Sequence, residues 1–245
     1  MKKLLAFTLA ETLIVMGVIG VVAALTLPNL NQSTNNKEKV AKVKKFYSNF
    51  SDAFGRAVAI YGPVEEWFVN DANNAAKTKR FSDRITEFMK LSKTCQTGTG
   101  CFAAGKQKKL RGGDSGNEYN SNTNFYKYIL ADGMSIGFFN YDNSTPGFQY
   151  IETIIDIDGP NQGANTFGKD VFSMSLLKND GTLITGSDLG SDGVIFSDVI
   201  QNCFIDGMEC TGWIMQTDNM DYIKADSSGK CPNNTQLSET VTSCN

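Results

Sequence analysis

The chain has 245 residues, with 23 basic and 26 acidic side chains, a net charge of −3 and no histidine. The missing histidine excludes Ser-His-Asp and Cys-His catalysis and zinc sites built on histidine, so we predict that the protein is not an enzyme. The mild acidity does not favour a nucleic-acid groove, and no nucleic-acid partner is predicted for the domain. The length suits one anchor helix followed by one globular domain with a core.

An almost unbroken apolar run from Leu4 to Leu27 opens the chain, after Lys2 and Lys3 and directly before Pro28. One charged residue, Glu11, lies inside this run. A carboxylate near the middle of a membrane helix costs roughly 2.5–3.5 kcal/mol on insertion scales, so its presence indicates a role there. The residues therefore predict a membrane helix whose acid pairs with a positive charge.

Residues 6–11, AFTLAE, resemble the processing site of type IV pilins and type II secretion pseudopilins. In that family a short basic leader is cut before a Phe, which is then N-methylated, so the resemblance implies cleavage between Ala6 and Phe7. The family's Glu four residues after that Phe corresponds to Glu11, and its helix proline corresponds to Pro28. Ala6 stands where the family usually has Gly, so we expect cleavage to survive but to be slower.

The resemblance implies a filament subunit that serves pilus assembly, protein secretion or DNA uptake. It also implies a single-pass protein of the bacterial inner membrane, with the N-terminus cytoplasmic and the C-terminal domain outside, which later joins a periplasmic or extracellular filament. The implied partners are other copies and related pilin-like subunits, a prepilin peptidase and methyltransferase, and an inner-membrane assembly platform. The alternative is a membrane-anchored or secreted adhesin or binding module whose ordinary signal sequence is cut near residues 22–24.

Four segments follow from this interpretation: a leader 1–6, a transmembrane and filament-core helix 7–28, an amphipathic helix 29–62 and a loop-rich domain 63–245. Apolar residues recur at three- and four-residue spacing from Val40 to Tyr61, which predicts a helix that Gly62 and Pro63 end. Pro28 predicts a kink or local unwinding, and the alternative is that the first helix ends there.

The remaining chain predicts an α+β domain in which the long N-terminal helix packs on a small antiparallel sheet, as in pilins. A second helix is expected to run from Phe81 to Lys93, and the Gly-, Ser- and Asn-rich residues 98–123 are expected to form a mobile, solvated loop. The predicted strands are 126–130, 134–139, 149–157, 171–177 and 181–185. Hairpin turns are expected at residues 131–133 and 178–181, because Asp-Gly tolerates the positive φ that such turns need.

Six cysteines fall in three close pairs and none forms a CxxC motif, which favours disulfides in an oxidising compartment over a metal site. Pairing of neighbours is favoured, although six cysteines allow fifteen connectivities and the sequence does not choose among them. An apolar cluster near the C-terminus is expected to be core beneath a disulfide, with an exposed binding patch as the alternative. The cysteines are Cys95 and Cys101, Cys203 and Cys210, and Cys231 and Cys244; the cluster is Trp213, Ile214, Met215, Met220 and Tyr222.

Residues 156–163, DIDGPNQG, form an oxygen-rich loop that runs on to Asp170. Calcium takes several oxygen ligands from flexible loops, so we predict a calcium site with Asp156, Asp158, Asn161 and Asp170 as ligands. The spacing is not that of an EF-hand, and the alternative is that these residues only form turns. Some major pseudopilins carry a calcium site in a C-terminal loop. A weaker second candidate consists of Asp188, Asp192 and Asp198.

Overall fold

The first helix, α1, spans Leu9–Tyr61 in a computed structural model that describes residues 9–68, 73–142, 149–177, 183–184 and 196–244. The helix therefore extends past Pro28 rather than ending there. The chain divides into two units, Met1–Glu38 and Lys39–Asn245. Within the second unit, the predicted apolar stripe of α1 faces the core: Val40, Val43, Phe50 and Ala57 are buried, and Tyr47, Phe54 and Tyr61 are partly buried. Phe46 and Ala53, which the prediction did not include, are buried beside them.

The end of α1 follows the predicted glycine-proline signal. Gly62 has a φ of 79°, a left-handed value that glycine adopts without a Cβ penalty, and its N–H donates to the carbonyl of Val58 at 3.0 Å. Pro63 comes next and cannot continue the helical hydrogen bonding. The turn sends the chain into a 3₁₀ segment at Val64–Phe68.

The second unit is a mixed helix and sheet structure, as predicted. Six strands lie in sequence order, and every neighbouring pair is antiparallel. The strands are β1 (Leu91–Gln96), β2 (Tyr126–Leu130), β3 (Ser135–Asp142), β4 (Gln149–Asp156), β5 (Val171–Leu177) and β6 (Leu183–Ile184). The shorter helices are α2 (Asn74–Thr86), α3 (Phe196–Ile205) and α4 (Cys210–Thr217), followed by a 3₁₀ turn at Asp221–Ile223.

The prediction that α2 continues to Lys93 is wrong. The helix ends at Thr86, and the chain turns through hydrogen bonds from the N–H groups of Phe88 and Met89. Residues 91–96 then form β1, which pairs with β2 through two irregular steps in register. Of the apolar residues that suggested the helix, Phe81 and Ile85 are buried within α2, whereas Phe88 and Met89 are half-buried at this turn.

The hairpin predicted at residues 131–133 is confirmed. Gly133 takes a φ of 90°, its N–H donates to Leu130, and the N–H of Leu130 donates to Met134 at 2.8 Å. On its other side, β3 pairs with β4 through eight consecutive residue pairs. The hairpin of β5 and β6 also forms, whereas its predicted turn at residues 178–181 lies outside the described residues.

One face of the sheet carries the main core. The aromatic ring of Phe138 on β3 lies 6.2 Å from Phe50 of α1 and 5.4 Å from Phe81 of α2, measured between centroids. Ile136, Ile155 and Phe172 occupy neighbouring positions of the same face through the cross-strand register. Such aromatic contacts add to the stabilisation that burial of apolar area provides.

The opposite face is covered by residues 97–125, which we call the cover loop. Phe102 and Tyr119 of this loop are buried, and they pack with Phe125, Ile154 and Phe167 in a second apolar cluster. The ring of Tyr119 lies 4.8 Å from that of Phe125. The loop is mostly exposed, as expected, but the expectation that it is solvated throughout is wrong, because Phe102 and Tyr119 are buried against the sheet.

The cysteines form the three neighbouring pairs: Cys95–Cys101, Cys203–Cys210 and Cys231–Cys244. The first disulfide closes the start of the cover loop onto the end of β1. The apolar cluster near the C-terminus is core, as expected, because Trp213, Ile214, Met220 and Tyr222 are at most 2% exposed. Arg111 secures the same region by donating to the carbonyls of Phe204, Tyr222, Ile223 and Asp226.

Candidate functional site

The predicted processing residues, Ala6 and Phe7, lie outside the described residues. The described residues begin within α1 at Leu9, and Glu11 lies two residues further along this helix with an exposed side chain.

Large apolar side chains are exposed on every side of α1 between Leu9 and Val22. Nine of them are between 53% and 80% exposed, and they are Leu9, Leu13, Ile14, Val15, Met16, Val18, Ile19, Val21 and Val22. Four consecutive residues, 13–16, already point in all directions around a helix of 3.6 residues per turn. A helix that is apolar on all sides needs apolar surroundings, unlike an amphipathic surface helix. Within the described part of the chain, no helix meets the length and hydropathy of a membrane span.

The predicted calcium loop is organised by its own acidic residues. Asp156, the last residue of β4, is fully buried, and its Oδ1 accepts the N–H groups of Asp158 and Gly159, each at 3.1 Å. Its other oxygen, Oδ2, has no hydrogen-bond partner among the described residues. Burial, and then the charge of the nearby Asp170, raise the pKa of Asp156 to about 8.

Asp170 closes the loop from its other end. Its Oδ1 accepts the N–H of Thr166 at 2.7 Å, and its Oδ2 accepts those of Ala164 and Asn165. The carbonyl of Asp170 also accepts the N–H of Ile157 at 2.9 Å, which ties the two ends of the loop together. Both carboxylate oxygens of Asp170 are thus engaged by the backbone.

Of the remaining predicted ligands, Asp158 lies close enough for its charge to raise the pKa of Asp156. Asp158 pairs with lysines of α1, Asn161 is exposed, and Asp198 lies in α3, while Asp188 and Asp192 lie outside the described residues. Among the residues that the structure describes, no three acidic or cysteine side chains are arranged to hold a metal ion. Calcium binding at residues 156–170 stays a prediction, and the described geometry explains these carboxylates as loop-forming groups.

Lysines of α1 pair with aspartates from three separate loops, which sequence reasoning did not find. Lys42 lies 3.0 Å and Lys39 3.8 Å from the carboxylate of Asp158. Lys45 lies 2.8 Å from Asp132 in the hairpin turn, and Lys44 pairs with Asp218 after α4. Each partly exposed pair contributes little alone, but together they connect the β2–β3 turn, the loop after β4 and the end of α4 to one stretch of helix. The lysine spacing was the available signal, and the partners are too distant in sequence to be inferred.

A further acidic group, Glu152, lies on the covered face of the sheet. In the ladder it stands between Phe139 of β3 and Ser175 of β5, two residues from the buried Ile154. Burial raises the pKa of Glu152 from 4.5 to about 7. Glu152 binds its proton more tightly in the folded protein than in the unfolded chain. The folded state is therefore most stable when Glu152 is protonated.

We expect the domain to lose stability as the pH rises from about 4.5 through the folded pKa values of about 7 for Glu152 and about 8 for Asp156. The unfolded chain releases these protons at lower pH than the folded chain, so rising pH favours unfolding in this window. At about 1.4 kcal/mol per pKa unit, Glu152 alone accounts for a loss of about 3 kcal/mol. Urea unfolding of the unaltered protein and of Glu152→Gln, at pH 4 and at pH 8.5, measures this loss of stability.

The Glu152→Gln variant should match the unaltered protein near pH 4 and exceed its stability at pH 8.5. Glu239→Gln is the matched control, because Glu239 is exposed near the C-terminus and the same substitution there should leave the pH dependence unchanged. Parallel pH profiles for the Glu152→Gln variant and the unaltered protein would show that Glu152 ionises as it does in the unfolded chain.

Two parts of the chain thus carry candidate functional groups: the exposed apolar start of α1 with Glu11, and the acidic loop 156–170 with its lysine contacts to the same helix. The first offers a surface for apolar association, and the second is a structural junction of the domain. No family model, curated protein or solved structure matches the chain.

Proposed function

We propose that the chain is a type IV pilin-like or type II secretion pseudopilin subunit that is cleaved after Ala6 and N-methylated at Phe7. It then assembles into a filament through α1 and serves pilus assembly, protein secretion or DNA uptake. The observation that carries this proposal is the surface of α1 between Leu9 and Val22, which is apolar on all sides and exposed.

An exposed apolar surface of this kind favours association. Burying one Leu, Ile, Val or Met side chain contributes about 1.5–3 kcal/mol, and nine such side chains are exposed in this stretch. Gly17 and Gly20 have no side chain, so the backbones of neighbouring helices can approach closely at these positions. A membrane satisfies this surface before assembly, and neighbouring copies of α1 satisfy it afterwards.

Apolar contacts alone do not fix the alignment of neighbouring subunits. In the proposed filament, Glu11 fixes it. Cleavage before Phe7 creates a positively charged amine four residues from Glu11. In an apolar bundle, the carboxylate of one subunit stabilises the amine of the next, and both charges avoid isolated burial. The pairing therefore fixes the stagger between subunits, which a smooth apolar surface does not.

The second unit fits a domain that is exported before assembly. Its six cysteines all form disulfides, which persist in oxidising compartments and are rare in the cytosol. Its ion pairs and buried stripe hold residues 39–61 of α1 to the rest of this unit. These features favour an exported domain but are shared by the alternative of a displayed binding module.

Mass spectrometry of the N-terminus separates the two candidate functions. We expect the mature chain purified from the cell envelope to begin with N-methyl-Phe7, because the peptidase implied by the resemblance cuts after Ala6. Ala6→Gly, which introduces the residue that the family usually carries, should speed cleavage, whereas a bulky Ala6→Leu should block it. A chain that begins near Leu25 supports the secreted binding module, and an intact Met1 contradicts the filament proposal.

A further inference from the structure

Four backbone carbonyls of the cover loop converge on one side-chain nitrogen. The Nζ of Lys127 lies 3.3 Å from the carbonyl oxygen of Thr97, 3.2 Å from Tyr119, 2.8 Å from Asn120 and 2.9 Å from Asn122. We call these four oxygens the carbonyl cage. They come from two stretches of chain about twenty residues apart, so one nitrogen joins the beginning and the end of the loop.

The lysine reaches the carbonyl cage from inside the protein. Lys127 lies in β2, opposite Gly137 of β3, and its side chain is 0% exposed. The described residues provide no carboxylate that pairs with it, and burial lowers the pKa of Lys127 from its usual value. An uncompensated buried ammonium is costly, so the carbonyl dipoles must replace the water that the charge has lost.

The arrangement resembles ion coordination more than a set of ordinary hydrogen bonds. An ammonium group has three N–H donors, whereas the cage presents four acceptors within 3.3 Å. Two of the carbonyls must therefore share one N–H, or one of them is held by attraction between its dipole and the charge. Four converging carbonyl oxygens without a neighbouring anion form a site for a small cation.

We propose that the carbonyl cage is a binding site for a primary ammonium group, which the chain fills with its own Lys127. The cation is the element that orders the Gly-, Ser- and Asn-rich cover loop, together with the aromatic anchors Phe102 and Tyr119. The Cys95–Cys101 disulfide and the hydrogen bonds of Arg111 hold other parts of the same loop. This inference concerns the domain alone and does not depend on filament assembly.

Chemical rescue of the Lys127→Ala variant tests the site in the full chain. Alanine keeps Cβ, and the missing atoms correspond to propylammonium, so this ion is the matched probe. We expect hydrogen exchange in residues 97–122 to become about tenfold faster in the variant, with loss of the charged hydrogen bonds, while β3 and β4 stay protected. Propylammonium should restore the protection in a saturable way, and 1-propanol, the uncharged match, should not.

Two further variants separate charge from packing. Lys127→Met keeps an apolar side chain of similar length but has no ammonium, so it should lose the same loop protection. Lys106→Ala removes an exposed lysine of the loop and should change nothing. Full loop protection in Lys127→Met, or restoration by 1-propanol equal to that by propylammonium, overturns the proposal.

A measurement on the unaltered protein decides the question if the variants do not fold. The Nζ protons of Lys127, observed by nuclear magnetic resonance on selectively labelled lysine, should exchange with water at least about tenfold more slowly than those of exposed lysines, because they are buried and hydrogen-bonded. Lys106 provides the exposed reference in the same loop. Exchange of the Lys127 ammonium as fast as that of Lys106 contradicts an occupied cage.

Discussion

Replacement of Glu11 by alanine is expected to leave cleavage and membrane insertion intact and to prevent the subunit from joining filaments. Removing one partner of a buried ion pair costs about 3–5 kcal/mol, because the other charge is left without compensation in an apolar environment. In the proposed filament, the uncompensated group is the amine of Phe7 on the neighbouring subunit. Incorporation into sheared filaments should therefore fall by about a hundredfold or more, at about 1.4 kcal/mol for each factor of ten.

Three variants distinguish charge from shape at this position. Glu11→Gln keeps the size of the side chain without its charge and should fail like alanine, whereas Glu11→Asp keeps the charge and should retain part of the incorporation. Thr12→Ala is the neighbouring control, since the Thr12 hydroxyl donates to the carbonyl of Leu9 within its own helix. Normal amounts of Glu11→Ala in sheared filaments would end the pairing hypothesis.

Features encoded by local patterns were predictable from the sequence. The stripe from Val40 to Tyr61 and the stop at Gly62 follow from helical spacing and the backbone freedom of glycine. The hairpin at residues 131–133 follows from one Asp-Gly pair between two apolar strands. Each of these patterns is complete within one helix or one turn, so no distant contact is needed to interpret it.

Features that depend on distant partners were not predictable. Lys42 and Asp158 are 116 residues apart, so a lysine that resembles a solvated group in the sequence is an ion-pair partner in the fold. The acidic loop shows the same difficulty, because the spacing of Asp156 and Asp170 suggests metal ligands while the backbone of the loop supplies the N–H groups that these carboxylates bind. Carboxylate side chains in a sequence do not reveal whether their oxygens will bind a cation or accept hydrogen bonds from backbone amides.

The prediction for the cover loop was wrong for a related reason. Its composition is that of a solvated segment, and its order comes from sparse residues whose partners lie elsewhere: Phe102 and Tyr119 over the sheet, and Lys127 in the strand that follows. Gly137 is part of the same arrangement. A glycine within a strand normally weakens it, so its presence in β3 indicates that another group lies close to the backbone.

Gly137→Ala is expected to destabilise the domain by about 3 kcal/mol or more, because it inserts a methyl group into a packed interior. A Cβ at this position would overlap two carbons of the Phe125 ring and lie 2.9 Å from a third. The ring has no free space to move into, since its centroid lies 5.4 Å from Phe102 and 4.8 Å from Tyr119. Urea unfolding of the full chain in detergent measures the change in free energy.

The partner residue makes this prediction specific. Phe125→Ala removes the ring and should itself cost about 3–5 kcal/mol, but adding Gly137→Ala to that variant should cost almost nothing more, because the obstructing atoms are gone. Gly55→Ala is the matched control in α1: a Cβ there meets no atom within 4 Å, and alanine should gain about 0.5–1 kcal/mol in a helix. Additive losses in the double variant would show that the ring of Phe125 is not what excludes a side chain at position 137.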